Sequence, residues 1–233
     1  MSIKHEVEIK HFFEQIAHRY DLMNSLISFR QHRRWRKQTM KKMAVQPGQI
    51  VLDLCCGTCD WTIALAEAVG PEGKVIGLDF SQRMLAQGRA KIVQANLQNV
   101  ELICGNALNL PFNNDFFDYV TIGFGLRNVQ NYQQVIKEMY RVLKPGGSAV
   151  CLETSQPALP IYKQMYRLYF KYVMPILGKL VTNNFAAYDW LQESTFKFLS
   201  KAELAELFAA NGFSQVAVYP FAGGVAAAHI CTK

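Results

Sequence analysis

The chain has 233 residues, half of them hydrophobic and 18% charged. That length suits one α/β domain, and the apolar fraction excludes wholesale disorder. No uncharged apolar run reaches the roughly 18–20 residues of a bilayer-spanning helix. MSIKHEVEIKHFFEQ mixes charges every few residues, unlike a secretory signal, so a cytoplasmic protein is expected.

The net charge of +7 is unevenly spread. Residues 1–43 hold 10 basic and 4 acidic side chains, residues 44–157 hold 8 and 10, and residues 158–188 hold 4 and none. The excess therefore flanks a mildly acidic centre. Such segments face nucleic acid, an anionic membrane, an acidic partner or simply water.

Residues 1–43 read as a helical cap ahead of the first strand. Ile50–Leu54 is an apolar run that predicts a buried strand, and Asp60–Val69 has helical spacing. Lys74–Leu78 repeats the strand pattern. Ser81–Gln94 follows as a helix with Ser81 as its N-cap. Val100–Cys104 and Tyr119–Ile122 are strands, Tyr132–Leu143 is a helix, Lys144-Pro145-Gly146-Gly147 is a sharp stop, and Ser148–Glu153 is a fifth strand. Residues 157–197 interrupt the alternation as a helical insertion or lid. A helix over Lys201–Asn211 and two runs, Gln215–Tyr219 and Gly224–Cys231, close the chain. The runs are too close for a helical crossover and predict a terminal antiparallel pair. The fold class is α/β: a Rossmann-like, mostly parallel sheet of seven strands in one domain.

The turn Asp53-Leu54-Cys55-Cys56-Gly57-Thr58-Cys59-Asp60 joins the first strand to the first helix, where open parallel sheets bind ligands. Gly57 allows close backbone approach and Thr58 offers a hydroxyl. The turn lacks G-x-G-x-x-G, and Asp60 would repel a pyrophosphate, so a nucleoside without phosphates is favoured over a dinucleotide. Asp79 ends the second strand, where an acid can accept both ribose hydroxyls. Asn106 ends the third with amide groups suited to an adenine edge, and Ala107 leaves room for the ring. Cys56 and Cys59 form a lone C-x-x-C without a second pair or a nearby His, so no metal site is expected.

These residues, with Tyr20-Asp21-Leu22-Met23-Asn24, His32-Arg33-Arg34-Trp35-Arg36, Gly123-Phe124-Gly125-Leu126-Arg127-Asn128 and Arg141–Gly147, resemble class I S-adenosylmethionine-dependent methyltransferases. Specifically, the chain looks like the ubiquinone/menaquinone biosynthesis C-methyltransferases. Its length, Cys55-Cys56 and Leu152–Pro157 are most similar to the demethylmenaquinone-methylating members. The resemblance implies S-adenosylmethionine as cofactor, contacted by Thr58, Asp79, Asn106 and Ala107, and methylation of demethylmenaquinol to menaquinol. Relatives often have Gly or Ala where Cys59 stands, and those acting on benzoquinols often have Ser where Gly123 stands.

Methyl transfer to carbon needs an electron-rich ring, hence a reduced quinol. Arg127 is too basic to be a free proton acceptor, but it can stabilise a developing naphtholate or orient a water, with Asn128 beside it. A structural pairing of Arg127 with Asp115 or Asp118 is the alternative. His32 is a candidate base by type, though its Arg-rich surroundings favour an electrostatic role. Tyr20 and Asp21 can line the acceptor pocket. Aromatics and cations without acids across 158–188 suit an anionic lipid surface, a lid over an apolar tail, or stacked RNA bases. Rival functions are methylation of a benzoquinol or another lipid acceptor, and nucleic-acid binding or RNA methylation. The last is disfavoured because Gly123-Phe124-Gly125-Leu126 occupies the place of an N-P-P-Y-type tetrapeptide. Oligomeric state is not readable from the sequence.

Overall fold

The computed structural model describes residues 9, 11, 13–157, 160–173 and 192–233. Seven strands form one sheet: β1 (Ile50–Leu54), β2 (Lys74–Asp79), β3 (Val100–Cys104), β4 (Phe117–Gly123), β5 (Leu143–Thr154), β6 (Gln215–Phe221) and β7 (Ala226–Thr232). Their order is β3-β2-β1-β4-β5-β7-β6. The first five are parallel, β7 runs antiparallel to β5, and β6 antiparallel to β7. The order reverses between β1 and β4, which places a ligand crevice beyond the carboxyl end of β1.

The helices are α1 (Tyr20–Ile27), α2 (Gln31–Met43), α3 (Asp60–Val69), α4 (Gln82–Gln94), α5 (Tyr132–Val142), α6 (Pro160–Leu168) and α7 (Lys201–Ala210). Side chains at Ser81, Asn131 and Ser200 accept from Met84, Gln134 and Glu203 backbone N–H groups, fixing the starts of α4, α5 and α7. Alternate residues of β1 enter opposite cores. Leu52 and Leu54 pack with Ile136 and Met139 of α5 and Phe208 of α7. Val51 packs on the other face with Trp61 and Leu65 of α3.

The expected elements are present, with one addition and one physical correction. Segment 1–43 is expected as a cap ahead of the first strand, and its last helix, α2, also reaches the sheet. Met43 is buried in the Val51 core, and its carbonyl accepts from the Tyr119 hydroxyl at 2.7 Å. Lys144–Gly147 is not a break before β5 but its start, because Leu143 is already extended. Gly146 (φ +79°) and Gly147 there exchange backbone bonds with Lys233.

The start of the insertion is α6 followed by a π-helix over Tyr169–Val173. Phe170 is buried against Ile16, Ala17, Met23 and Met84, so the start of the insertion, the N-terminal segment and α4 share a small core. Met174, Ile176, Leu177 and Lys179 lie outside the described residues.

Candidate active site

The β1–α3 turn is tightly wound. Cys55, Gly57 and Cys59 have φ of +51°, +56° and +66°. Only glycine adopts this region without steric cost, so Cys55 and Cys59 are held there by their neighbours. The Cys56 N–H donates to the Leu78 carbonyl and the Gly57 N–H to Asp79 Oδ2 at 2.9 Å. The turn is thus tied to the end of β2. The departure at Cys59 has a structural counterpart: a Cβ on Gly88 would stand 2.3 Å from Cys59 Sγ, so the thiol fills the space beside that glycine.

Two cavities open above the strand ends. The first is lined by Gly57, Leu78, Asp79, Phe80, Met84, Asn106, Ala107 and Asn128, with Ile9 and Phe13 from the N-terminal segment. Asp79 is buried, and its other oxygen accepts the Ser81 N–H at 2.9 Å. Burial pushes its carboxyl up to about 6, against the opposing effect of the Ser81 and Gly57 N–H groups. Asn106 Oδ1 accepts the Leu108 N–H and shapes the turn after β3.

The second cavity is lined by Asp21, Asn24, Ser28, His32, Trp35, Arg36, Asp53, Thr58, Trp61, Arg127 and Thr154. Tyr20, Cys55, Gly57, Gly123 and Phe124 line both cavities and form the boundary between them. At Gly123 an added Cβ would meet the Trp61 ring at 2.6 Å, so the indole occupies the space a larger residue would need.

The structure therefore separates the residues singled out in the sequence. Gly57, Asp79, Asn106, Ala107 and Asn128 surround the first cavity, while Asp21, His32 and Arg127 surround the second with Thr58. The Thr58 hydroxyl donates to Asp21 Oδ1 at 2.6 Å and accepts from Lys91 Nζ. Lys91 pairs with both Asp21 and Asp60, and Arg36 also pairs with Asp60. Four charges thereby join α1, α2, α3 and α4. Asp60 serves this network.

Arg127 pairs with neither Asp115 nor Asp118, whose partners are Lys233 and Lys144. Its guanidinium meets the buried carboxylate of Glu153 at 2.5 Å and donates to the Phe124 carbonyl at 2.7 Å. Glu153 was missed in the sequence, although an acid inside a buried apolar strand is itself a signal. His32 is no fixed cation. Burial and the Arg36 charge push its imidazole down to about 4. Asp53 is buried, accepts from the Thr62 and Thr121 hydroxyls at 2.7 Å each, and is pushed up to about 6 by burial.

A family model described as the ubiE/COQ5 methyltransferase family matches residues 1–233. The chain is 57% identical over 228 residues to the demethylmenaquinone methyltransferase of Geobacillus stearothermophilus, covering 98% of this chain and 97% of that one. It is 56% identical over 233 residues to the protein of the same name from Listeria monocytogenes serotype 4a (strain HCC23), covering 100% and 98%. Two solved structures share the fold. One is a SAM-dependent methyltransferase from Aquifex aeolicus (TM-score 0.62, 16% identity, 84% of this chain and 88% of that one). The other is a putative S-adenosyl-L-methionine-dependent methyltransferase from Methanococcus maripaludis (0.66, 16%, 96% and 93%). With its whole length matched by the family model, the chain belongs to the ubiE/COQ5 methyltransferase family.

Proposed function

We propose that the protein transfers a methyl group from S-adenosylmethionine to the ring carbon of demethylmenaquinol, giving menaquinol. The observation that carries this reading is the pair of cavities meeting at Tyr20, Cys55, Gly57, Gly123 and Phe124. A donor and an acceptor bound on either side of that boundary would meet in line, and such positioning is worth about 7–11 kcal/mol of barrier. The names of the full-length relatives at 56–57% identity support the same acceptor.

The first cavity has donors and acceptors that fit S-adenosylmethionine. The Asp79 carboxylate has lone pairs beyond the two it spends on backbone N–H groups, and these accept ribose hydroxyls. Leu78, Phe80, Met84 and Ala107 give adenine an apolar slot, with Asn106 at its edge. Bound there, the cofactor supplies a methyl group on a sulfonium. Thr58 acts indirectly in this reading, by holding Asp21 and Lys91.

The second cavity takes the quinol. Trp35, Trp61, Tyr20 and Phe124 offer aromatic faces to a fused ring. Arg127 faces the ring oxygen that gains negative charge, and Glu153 holds its guanidinium in place. Asn128, on the cofactor side, donates to the Phe124 carbonyl and keeps that turn closed.

No described helix is long and apolar enough to cross a membrane, yet the substrate is a polyprenyl lipid. The protein meets it at the bilayer surface through α6 and the end of α1, where large apolar side chains are exposed beside Lys163, Arg167 and Lys171. Incubating purified protein with labelled S-adenosylmethionine and a panel of reduced naphthoquinols and benzoquinols tests the assignment. Label appearing only in benzoquinols would overturn it.

A further inference from the structure

We infer that His32 is the catalytic group that takes the proton from the ring hydroxyl of the acceptor, an inference that rests on the second cavity being the acceptor site. The tautomer follows from hydrogen counting. The Ser28 hydroxyl has one hydrogen and donates it to the Asn24 carbonyl at 2.6 Å. The 2.6 Å contact between Ser28 Oγ and His32 Nδ1 then needs its hydrogen from the imidazole. Nδ1 is protonated, and Nε2 carries the lone pair. A neutral imidazole held in one tautomer by a hydrogen bond on its far side is the arrangement a general base needs.

The other acids in this wall are already held by donors. Asp21 is engaged by Lys91 and Thr58, Asp60 by Lys91 and Arg36, and Asp53 by Thr62 and Thr121. Burial keeps the Tyr20 phenol protonated. Among the described residues of the cavity, His32 is the nitrogen base whose acceptor atom has no protein hydrogen-bond partner.

The weak basicity of His32 suits this step. A resting naphthol hydroxyl would not give its proton to so weak a base. As the ring π pair forms the new C–C bond, the methyl–sulfur pair stays on sulfur and the acidity of the hydroxyl rises towards that of a protonated ketone, so it is deprotonated within the same step. Its O–H pair becomes the carbonyl π bond, and the proton passes to Nε2. When the ring C–H proton leaves to water, the imidazolium returns its proton to the oxygen and the aromatic quinol is restored. One proton is released overall, and His32 ends neutral.

The test uses the full chain, S-adenosylmethionine and a short-tailed 2-unsubstituted naphthoquinol. His32→Ala is expected to lower kcat about 100-fold with KM little changed, and added imidazole should restore turnover with saturation. His32→Gln, which cannot take a proton, should be equally slow and not rescued. Thermal melting checks that both variants fold. Quenching of tryptophan fluorescence by the matching oxidised naphthoquinone, diminished when Trp35 and Trp61 of the cavity wall are both replaced with Phe, reads cavity occupancy independently of turnover. Quenching with undiminished turnover in His32→Ala, or with a loss that imidazole does not restore, would overturn the role of His32 and leave the acceptor site standing. Absence of quenching in the unsubstituted protein would remove the acceptor site and this inference with it.

Discussion

Arg127 and Glu153 form an ion pair with almost no solvent contact, their side chains 9% and 2% exposed. Glu153 also accepts the Arg127 and Thr154 N–H groups, so both strand ends beside the crevice are tied to one carboxylate. Such a pair is weak evidence for stability, since desolvation of both ions offsets their attraction. Its value is geometric, because it fixes a cation at the cavity wall.

Removing one partner leaves the other charge buried and unmatched. Glu153→Ala is expected to cost about 3–5 kcal/mol in urea unfolding and to lower turnover. Glu153→Gln keeps the acceptor oxygen and should cost less. Equal stability of Glu153→Ala and the parent would show that the pair is not held as described.

Asp79 gives a pH dependence with two opposite signs. Its carboxyl is raised from 3.8 to about 6 by burial, so the unfolded chain holds its proton less tightly than the folded one. The contribution of this group to stability is fully present below pH 3.8 and is lost as pH rises through 6. Asp53, also raised to about 6, acts in the same window. In the proposed cofactor site, binding of the ribose diol needs the ionised form. Between pH 7 and 5 these two groups should therefore raise the stability of the cofactor-free protein while cofactor affinity falls. Asp79→Ala should weaken cofactor binding by about 1–3 kcal/mol at pH 7.5 and remove the pH trend. Calorimetry showing a parallel pH trend in the variant would take Asp79 out of the site.

The strand-and-helix frame was legible because burial on both sheet faces leaves apolar runs such as Ile50–Leu54, and because Ser81 marks a helix start. The first cavity was legible because Gly57, Asp79 and Asn106 stand at or just beyond the carboxyl ends of three adjacent parallel strands, and the chain itself orders them. The second cavity depends on pairs far apart in sequence. Lys91 lies 70 residues from Asp21 and 31 from Asp60, and Arg127 lies 26 from Glu153. No local pattern announces which Lys or Glu closes such a pair. The β5 start was misread because Pro145-Gly146-Gly147 resembles a turn, whereas pairing with Lys233 makes it a strand entry.

Cys59 and Gly88 give a coupled pair. Gly88→Ala alone places a methyl group within 2.3 Å of Cys59 Sγ and should destabilise the protein. Cys59→Gly removes that obstacle and relieves the +66° φ. Added to Cys59→Gly, the helical alanine should then gain up to about 1 kcal/mol. A double-mutant cycle on thermal unfolding with no coupling between the two sites would contradict the packing.

The surface proposed to meet the bilayer is continuous between the N-terminal segment and the insertion. Leu22, Leu26 and Phe29 are exposed at helical spacing on and just beyond α1, and Ile161, Met165, Leu168 and Tyr172 are exposed on α6 and the π-helix. The two sets touch where the Phe29 ring lies 6.1 Å from that of Tyr169, whose hydroxyl donates to the Ile27 carbonyl. Each cation near an anionic surface adds about 1 kcal/mol, so in this proposal Lys163, Arg167 and Lys171 would give reversible attachment that inserted apolar side chains would strengthen. Vesicles containing anionic lipid should retain the protein at low salt and release much of it at high salt. Replacing the three cations with Glu, or Leu22 and Phe29 with Ser, should lower turnover of a long-tailed quinol in vesicles. Neither variant should change turnover of a short-tailed quinol in solution, because none of these five residues lines either cavity. Equal loss with both substrates would mean that this face supports the fold, and that the lipid reaches the site by another route.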